Sequence, residues 1–303
     1  MRRYTLRQLD TFAEVARDRS VSLAARRLHI TQPAVSMQLR QLEQALGAPL
    51  VEPDGRRIRL TAAGEECEHL VQAALAQLKE IDDAFAARRG LRGGHVDLAV
   101  VTTAKYFVPM LLVAFRRKHP GVQVKLGLHN REGVLDLLAR NETDLVVMGR
   151  APDQPPCSAT PFASNPMAVV AAPQHPLSRR RRAPLSLLKG QEFVTREQGS
   201  GTRAAMERVF ATARVKPQIV MEMPSNETIK QAVMANMGLA FLSLRTVRHE
   251  LAAGRLVLLD IVGLPIQRQW YVTHRAGKRL SPAAAAFKQF LIDEAGPLVE
   301  AWS

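Results

Sequence analysis

Cysteines, membrane-length apolar runs and metal-ligand spacings are scarce or missing in this sequence of 303 residues. Its two cysteines, Cys67 and Cys157, lie far apart without a CxxC spacing, which excludes a disulfide scaffold and a four-cysteine zinc module. No uninterrupted apolar stretch approaches the ~18 residues that a membrane span needs. The first twelve residues contain no apolar segment of the kind found in secretory signals. We therefore expect a cytoplasmic protein with reduced thiols and no membrane partner.

The motifs of common enzyme classes are also missing. The stretch Gly199-Ser200-Gly201-Thr202 lacks the spacing of a phosphate-transfer loop, and no nucleophile elbow surrounds Ser200. The chain has no HExxH motif, and its eight histidines show no metal-ligand spacing. The sequence therefore favours a protein that is not an enzyme and that holds no metal or cofactor.

Positive charge is the main compositional feature of the chain. Lys plus Arg number 42 against 28 Asp plus Glu, which gives a net charge of +14 and an isoelectric point near 10.6. A field of this sign favours a polyanionic partner, and both a nucleic acid and a phosphorylated metabolite meet that description. The length is that of about two domains.

Three short amphipathic helices are predicted at the amino-terminal end. Thr5 and Gln8 have the spacing of a capping box for the first helix. Thr31 is the expected cap of the third helix, and Gly47 is its expected end. The residues expected to face inward are Leu23, Ala24, Ala25 and Leu28 in the second helix and Val35, Leu39, Leu42 and Leu46 in the third. The last two helices predict a helix-turn-helix over residues 21–40, whose second helix enters the DNA major groove.

The outer face of the third helix carries side chains suited to base recognition. Gln bonds adenine, Arg binds guanine or a phosphate, Ser serves either role, and Met offers an apolar contact. The Asp54-Gly55 turn predicts a two-stranded wing, whose arginines suit phosphates or a narrow minor groove. The candidate DNA-binding residues are Thr31, Gln32, Pro33, Ser36, Met37, Arg40, Arg56 and Arg57. A small helical domain with a basic hairpin and no role in DNA binding is the alternative.

A single long helix is predicted over residues 62–90. Its narrow apolar seam is typical of helix-to-helix pairing. The seam consists of Cys67, Leu70, Ala74, Leu78, Ile81 and Phe85. We interpret this segment as a linker through which two copies of the chain form a dimer; packing on the chain's own carboxyl-terminal domain is the alternative. The run of Arg and Gly at residues 88–94 predicts a hinge.

The first 65 residues resemble the winged helix-turn-helix of LysR-type transcriptional regulators. The resemblance is carried by residues 31–36 (TQPAVS), the Leu42-Glu43 pair, the step from Gly47 to Leu50 and residues 60–64 (LTAAG). It implies a winged helix-turn-helix DNA-binding domain at residues 4–61. Val51 and Pro53 stand where the family commonly has Phe and Arg, and Met37 stands where it often has Arg.

From residue 95 onward, predicted strands alternate with predicted helices, which is typical of an α/β architecture with parallel sheets. The predicted strands are Val96–Val101, Val122–Leu128, Asp144–Met148, Met167–Ala172, Glu192–Thr195, Ile219–Met223, Leu239–Leu242 and Gln269–His274. The predicted helices are Tyr106–Lys118, Glu132–Arg140, Thr202–Thr212, Glu227–Met237 and Pro282–Ala295. A proline-rich break after residue 151 indicates two lobes within a domain at residues 91–303. Lobe I covers about 91–162 and 268–303, and lobe II covers about 163–267.

Polar clusters follow several of these strands, at the positions where ligands bind in such sheets. Helix amino ends with hydroxyls and nearby Arg or Lys bind anions, and five basic residues indicate a ligand with more than one phosphate. The candidate effector-binding residues are Thr102, Thr103, Lys105, Asn130, Arg131, Glu132, Arg150, Arg196, Ser200, Gly201, Thr202, Arg203, Ser225, Asn226 and Glu227. Ordinary helix caps with solvated charges are the alternative for each cluster. The run Arg179–Arg182 either contacts DNA or forms a solvated loop.

The carboxyl-terminal motifs are similar to those of the CbbR group of LysR-type regulators, which control the Calvin-cycle (RuBisCO) operons. The matching segments are residues 103–107, 130–132, 148–150, 162–166, 199–207 and 225–232. The resemblance implies a two-lobed effector domain like that of periplasmic binding proteins and a transcription activator of carbon dioxide fixation. The implied effector is a sugar bisphosphate, phosphoenolpyruvate or NADPH.

The resemblance also implies partners: a homotetramer on double-stranded promoter DNA, with RNA polymerase as a further contact. Two alternatives stay open. One is a LysR-type regulator of another metabolic pathway. The other is an enzyme or solute-binding protein that uses the α/β lobes, with the amino-terminal domain fused to it.

Overall fold

The computed structural model describes residues 4–55, 57–88 and 93–301, and their side chains except at positions 57, 76, 79, 80 and 82–88. Arg56 of the predicted wing and the side chain of Arg57 therefore lie outside the described residues. The chain forms two compact units, one built mainly from residues 4–82 and the other mainly from residues 93–301.

The amino-terminal unit contains three short helices, a hairpin and a long helix. These elements are α1 (Leu6–Asp18), α2 (Val21–Leu28), α3 (Gln32–Leu46), β1 (Val51–Asp54), β2 (Arg57–Leu60) and α4 (Ala62–Arg88). The predicted capping box is confirmed, since Thr5 Oγ1 accepts from the Gln8 amide and Gln8 Oε1 accepts from the Thr5 amide. Thr31 caps α3, which ends at Gly47 in the left-handed conformation with φ of 77°.

The core of this unit lies where the first three helices cross. Phe12, Val35 and Leu42 are fully buried there, together with the paired alanines of α2. The prediction that Leu23 and Leu46 face inward is wrong, because their exposed fractions are 48% and 41%. The eight-residue helix α2 presents only a narrow face to its neighbours, which the alanines fill, and Leu46 lies in the last turn of α3, past the crossing.

The hairpin of β1 and β2 forms the predicted wing. The two strands pair antiparallel along their whole length, and Gly55 makes the turn with φ of 59°. Glu43 of α3 anchors the base of this wing, because its Oε1 accepts from the amides of Leu50 at 2.8 Å and Val51 at 3.3 Å. The wing is thereby fixed to α3.

The start of α4 lies against the base of the wing. The Thr61 hydroxyl donates to the Pro49 carbonyl at 2.7 Å, and the Thr61 amide donates to the Leu50 carbonyl at 3.0 Å. Gly64 lies so close that a Cβ at this position would overlap the Leu50 carbonyl. The wing and α4 therefore share one rigid joint.

The apolar residues of α4 are divided between two faces. Val71 is buried, and Cys67 and Leu75 pack against the core of the unit. Leu70 and Ile81, by contrast, are 61% and 54% exposed. The predicted seam is therefore split: Cys67 faces the unit's own core, whereas Leu70 and Ile81 lie outside it. The side chain of Phe85 lies outside the described residues.

The carboxyl-terminal unit consists of two lobes. The first begins with β3 (Gly94–Val101), α5 (Val108–Lys118), β4 (Val122–His129), α6 (Arg131–Ala139), β5 (Leu145–Met148) and β6 (Cys157–Ser164). The second contains β7 (Met167–Ala171), β8 (Glu192–Arg196), α7 (Gly201–Thr212), β9 (Gln218–Met223), α8 (Asn226–Met234), β10 (Ala240–Ser243), α9 (Leu244–Ala252) and β11 (Val257–Leu258). The chain then returns to the first lobe for β12 (Gln269–Arg275) and α10 (Pro282–Ala301).

Each lobe is built around sheets with helices packed on them. The first lobe has five strands in the order β4-β3-β5-β12-β6, and the second has the sheet β10-β7-β11 and the pair β8-β9. Strand β3 is parallel to β4 and β5, and β8 is parallel to β9. The carboxyl ends of these parallel strands therefore meet at one edge of their sheet. Buried aromatic residues fill both cores, among them Phe115, Phe287 and Trp270 in the first lobe and Phe193 and Phe210 in the second.

The predicted α/β architecture is confirmed, but its sheets are mixed and not purely parallel. Strand β12 runs antiparallel to β5 and β6, and β10 and β11 run antiparallel to β7. The chain enters each sheet from the opposite end after a crossover, which reverses the strand direction. The two crossovers lie side by side, since the Asn165 amide donates to the Arg268 carbonyl at 2.8 Å. Met167 and Ile266 exchange two further backbone hydrogen bonds.

Three elements are not predicted from the sequence: β6, α9 and β11. Pro161 argues against a strand at β6 when only the sequence is considered, because proline is unfavourable in a sheet except at an edge or a bulge. Strand β6 is an edge strand, and Pro161 lies next to a shift in its register. The run Arg179–Arg182 is exposed on the second lobe and begins in a short 3-10 turn.

The joint at Gly64 generates the first prediction. Gly64→Ala forces a methyl group into the Leu50 carbonyl, and overpacking of this kind costs about 3 kcal/mol. We expect the melting transition of the amino-terminal unit to fall by roughly 10 °C or more in calorimetry of the full chain. The control is Gly47→Ala, where a Cβ meets no atom within 4 Å and only the left-handed backbone is penalised. A loss at Gly64 no larger than the loss at Gly47 would contradict the proposed joint.

Candidate functional site

A cavity lies between the two lobes, at the carboxyl ends of β3, β4, β5 and β8. Its volume is about 30 Å³, which is the space of about two water molecules. The residues predicted from the sequence that line it are Thr102, Thr103, Asn130, Arg131, Arg150, Arg196, Ser200, Gly201 and Thr202. They meet because the parallel strands that carry them end at the same edge of each sheet.

The guanidinium of Arg196 is buried and fully bonded. Its Nε and Nη2 donate to the carboxylate of Glu197 at 2.7 and 2.9 Å. Its Nη1 donates to Asn226 Oδ1 at 3.0 Å, and its Nη2 also reaches Thr102 Oγ1 at 3.0 Å in the other lobe. Asn226 in turn donates to Thr103 Oγ1 at 3.4 Å. Arg196 therefore connects the lobes, and its charge is already balanced by Glu197.

Arg203 is likewise neutralised and does not line the cavity. Its Nε donates to Glu207 at 2.6 Å, and its Nη1 donates to Glu222 at 2.7 Å. The same Nη1 also donates to Thr195 Oγ1 at 2.9 Å. The side chain is held on the second lobe by two carboxylates, so it offers no uncompensated charge to a ligand.

Four other arginines form a group with little negative charge around it, which we call the arginine cluster: Arg131, Arg150, Arg208 and Arg268. The first two come from the first lobe, Arg208 comes from α7 in the second, and Arg268 lies in the second crossover. Three of them line the cavity, and Arg208 lies two turns along α7 on the face of Gly201.

The members of the arginine cluster depress one another's pKa. Burial, together with the charges of Arg208, Arg131 and Arg150, lowers the pKa of Arg268 to about 10. Burial and the neighbouring Arg150 lower the pKa of Arg131 and of Arg208 as well. These side chains therefore share a region of strong positive potential.

Neutral hydrogen-bonding groups complete the cavity. Ser200 caps α7, where its Oγ accepts from the Thr202 amide at 3.3 Å, and both residues are buried. Gly201 begins the helix beside Arg131, whose Cδ would lie 3.5 Å from a Cβ at that glycine. Hydroxyls and amides at the amino end of a twelve-residue helix suit an anion.

The other predicted residues do not line the cavity. Lys105 lies over the ring of Tyr106, 5.2 Å from its centroid. The Glu132 amide donates to the Gly199 carbonyl at 3.3 Å, which is a bond between the lobes. Ser225 caps α8 by accepting from the Thr228 amide. Glu132, Asn226 and Glu227 make hydrogen bonds between the lobes, whereas the contacts given for Lys105 and Ser225 lie within their own lobes.

Tyr106 and Glu227 form a second link between the lobes. The Tyr106 hydroxyl donates to Glu227 Oε1, and Lys230 lies 5.0 Å from the centre of the tyrosine ring. Lys230 is buried and paired with Glu250 at 2.8 Å and Glu227 at 3.1 Å. Burial and the adjacent Glu227 raise the pKa of Tyr106, so its hydroxyl stays protonated and donates.

Several residues of the cavity wall are not among those predicted from the sequence. They are Val101, Gly149, Asn165, Met167, Ser243, Arg268 and Trp270. Asn165 and Arg268 belong to the two crossovers. Asn165 lies in the matching segment 162–166 but was not selected as a site residue, and no motif marks Arg268. Asn165 Oδ1 accepts from Ser243 Oγ at 2.7 Å. The helical spacing of seven residues from Gly201 was the signal that could have identified Arg208.

The candidate DNA contacts lie on one face of α3. Gln32 and Arg40 are exposed, as are Thr31, Pro33 and Met37, and Ser36 is half-buried. The opposite face is fixed to α1, because Thr11 Oγ1 donates to the buried Gln38 at 2.6 Å. Arg56 and the side chain of Arg57 lie outside the described residues.

No group of three His, Cys, Asp or Glu side chains that could hold a metal ion occurs in the described part of the chain. None of the helices described is both long enough and apolar enough to cross a membrane.

Comparisons with known proteins match both units. Residues 6–65 match the family of bacterial regulatory helix-turn-helix proteins of the lysR type, and residues 89–296 match the LysR substrate binding domain. The RuBisCO operon transcriptional regulator of Allochromatium vinosum is 44% identical over 291 residues, 96% of each chain. The transcriptional regulator CbbR of Rhodospirillum rubrum is 48% identical over 286 residues, 94% of this chain and 95% of that one.

A solved structure matches the carboxyl-terminal unit. The regulatory domain of CcmR from Synechocystis PCC6803, in complex with 2-PG, has a TM-score of 0.64 and 40% identity. The match covers 66% of this chain and 96% of that one.

The link between Tyr106 and Glu227 generates the second prediction. Tyr106→Phe removes a hydrogen bond to a partly exposed carboxylate, so we expect a loss of about 1 kcal/mol. The melting transition of the carboxyl-terminal unit should fall by roughly 2–4 °C. The control is Tyr271→Phe, because the Tyr271 hydroxyl makes no hydrogen bond within the described residues. Equal shifts in the two variants would show that the link contributes nothing.

Proposed function

This chain belongs to the LysR family of bacterial transcriptional regulators, and we propose that it controls the RuBisCO operon in response to a compact phosphorylated acid. A regulator of this kind binds DNA through its helix-turn-helix and a small molecule through its substrate-binding domain. It is not an enzyme. The operon is inferred from relatives that are more than 40% identical over nearly the whole chain and are named for it.

The DNA arm of the proposal rests on α3 and the wing. Gln32 and Arg40 are exposed on one face of α3, where the Gln32 carboxamide and the Arg40 guanidinium are free to bond to bases. The opposite face packs in the core. The wing is fixed to α3 through Glu43, so both elements meet the duplex as one surface. We propose that α3 lies in the major groove of the promoter and that the protein acts in the cytoplasm, where that DNA is.

The proposal that the cavity binds an anionic effector rests on one observation, the positive charge there that no carboxylate balances. Arg196 and Arg203 are paired with carboxylates, whereas Arg131 and Arg268 are not paired with any in the described chain. A cavity of about 30 Å³ favours a compact anionic group over a dinucleotide such as NADPH in this arrangement of the lobes. A phosphorylated acid of a few carbons therefore suits the cavity better than NADPH does.

Self-association is the third part of the proposal. Leu70 and Ile81 on the outer face of α4 are large, apolar and more than half exposed, which is typical of a helix that pairs with a second helix. We propose a dimer through α4 and a tetramer on the promoter, with RNA polymerase as a further partner.

The third prediction tests the DNA contacts of α3. Gln32→Ala and Arg40→Ala should each weaken binding to the promoter by about 5- to 100-fold at fixed salt, because each loses a groove contact. Gel-shift titration measures the effect. The control is Gln41→Ala in the same helix, whose side chain is bonded to Gln8 of α1. Unchanged binding in both variants would remove α3 from the groove.

The fourth prediction tests the operon and the effector class. The full chain should bind RuBisCO promoter DNA in preference to a scrambled duplex at physiological salt. Added 2-phosphoglycolate should change the footprint, and NADPH at the same concentration should not. Equal binding to scrambled DNA would refute the assignment of the operon. A response to NADPH alone would refute the compact effector.

A further inference from the structure

The second lobe has an end that lies away from the cavity, and the topology of the lobe determines which segments meet there. Strand β8 ends at the cavity with Arg196 and α7 begins there with Gly201, so the start of β8 and the end of α7 lie at the opposite end. Strand β7 begins at the cavity with Met167 and runs away from it, and β11 is antiparallel to β7. The segments after β7, after α7 and before β11 therefore meet at the end away from the cavity.

Exposed basic side chains of these three segments come together at that end, and we call them the basic pole. They are Arg179–Arg182 and Lys189 after β7, Arg214 and Lys216 after α7, and Arg255 before β11. The segments that carry them, residues 172–191, 211–219 and 251–259, contain no Asp or Glu. The carboxylates that border these segments are Glu192 and Asp260. Positive charge is therefore in large excess at this end of the lobe.

Backbone and side-chain hydrogen bonds hold the segments of the basic pole in place. The Gly190 amide donates to the Lys216 carbonyl at 3.1 Å, which joins the segment after β7 to the segment after α7. Directly after the arginine run, Ala183 is buried, and its amide donates to the Asp260 carbonyl at 2.8 Å. Directly before the run, the Ser178 hydroxyl donates to the Pro173 carbonyl at 2.8 Å. The four arginines are therefore presented from a backbone that is fixed on both sides.

The charges of the basic pole are not balanced within the protein. In the part of the chain that the structure describes, none of its side chains forms an ion pair with a carboxylate. Exposed arginines of the amino-terminal unit are paired, by contrast, since Arg27 binds both Glu14 and Asp18. Like charges that are left unpaired on an ordered surface are typical of a surface that binds a polyanion.

The chemistry of the basic pole favours double-stranded DNA among the polyanions. Most of its side chains are arginines, whose guanidinium binds phosphate oxygens in pairs. Its three segments contain no Phe, Tyr or Trp. The bases of a single strand would find no aromatic ring to stack on, and protein interfaces are rich in such rings. A duplex presents continuous rows of phosphates, and the helix-turn-helix of this chain already brings DNA to the protein.

We propose that the basic pole binds the phosphate backbone of double-stranded DNA, in addition to the contacts of α3 and the wing. Contacts of this kind are ionic and carry no sequence information, so the pole adds affinity without specificity. The effector-binding unit thereby has a DNA contact of its own. This inference depends on neither the identity of the operon nor that of the effector.

The test measures how the affinity of the full chain for a scrambled duplex depends on salt. One double variant is Arg180→Gln with Arg181→Gln, and the other is Lys216→Gln with Arg255→Gln. In each, the slope of log affinity against log salt should fall in magnitude by about 2, because a phosphate contact contributes about 0.9. The affinity itself should fall about 10-fold at physiological salt.

The matched control is the double variant Arg116→Gln with Arg117→Gln. These two arginines are exposed in the last turn of α5 in the first lobe, and their removal changes the net charge by the same amount. The control should keep the slope of the wild type. All three variants should keep its melting temperature, because exposed side chains without partners contribute little to folding.

Promoter preference gives a second readout. Phosphate contacts are lost equally on every sequence, so both pole variants should keep the ratio of promoter affinity to scrambled-duplex affinity. An unchanged slope in both pole variants, or an equal change in the control, would overturn the inference. So would an unchanged slope with lost binding to RNA polymerase, which would identify the pole as a docking surface for an acidic protein.

Failure of the proposed function is distinguishable from failure of this inference. If the wild type does not prefer the RuBisCO promoter, the assignment of the operon is wrong, yet the slope on the scrambled duplex still reports on the basic pole. If the promoter is preferred and the pole variants keep the slope of the wild type, the basic pole alone is wrong.

Discussion

The ligand cavity depends on one buried guanidinium that is bonded to both of its walls. Arg196 reaches Thr102 in the first lobe and Asn226 in the second while Glu197 balances its charge. Burying a charge is costly unless it is paired and fully hydrogen-bonded, and this one is. Because the joining cation is neutralised locally, the positive potential of the cavity comes from other arginines. In the proposed site, therefore, one arginine joins the lobes and other arginines supply the charge for a ligand.

The sequence predicted which segments end at the cavity better than it predicted which side chains enter it. Polar residues placed after parallel strands, such as Thr102, Asn130 and Arg150, do meet there, because strand direction determines where they lie. Arg203 matched the same pattern, yet Glu207 and Glu222 hold it away. Pairing of that kind depends on the distances between elements, and local sequence does not encode those distances.

The crossovers explain most of the remaining differences. Arg268 and Asn165 are distant in sequence and lie in irregular segments, so no periodicity marks either of them. They become neighbours only when two chain passages between lobes run side by side. The same passages reverse the direction of β7 and β12 relative to their neighbours, which is why an expectation drawn from strand and helix alternation failed there. In the amino-terminal unit, by contrast, the caps of α1 and α3 and the wing follow from local rules and were predicted, whereas α2 begins at Val21 with Ser20 as its cap and not at Ser22 as expected.

The close approach of Gly64 to Leu50 has a mechanical consequence for regulation. Because no side chain separates Gly64 from Leu50, the wing and the first turn of α4 are expected to move as one rigid body. The hydrogen bond from the Leu50 amide to Glu43 attaches this body to α3. A rotation of the start of α4 would therefore turn the helix-turn-helix and its wing together without changing their internal structure. If copies of the chain bind one promoter together as proposed, a small molecule would change the spacing and tilt of intact DNA-binding domains along the duplex and leave the contacts that each domain makes unchanged.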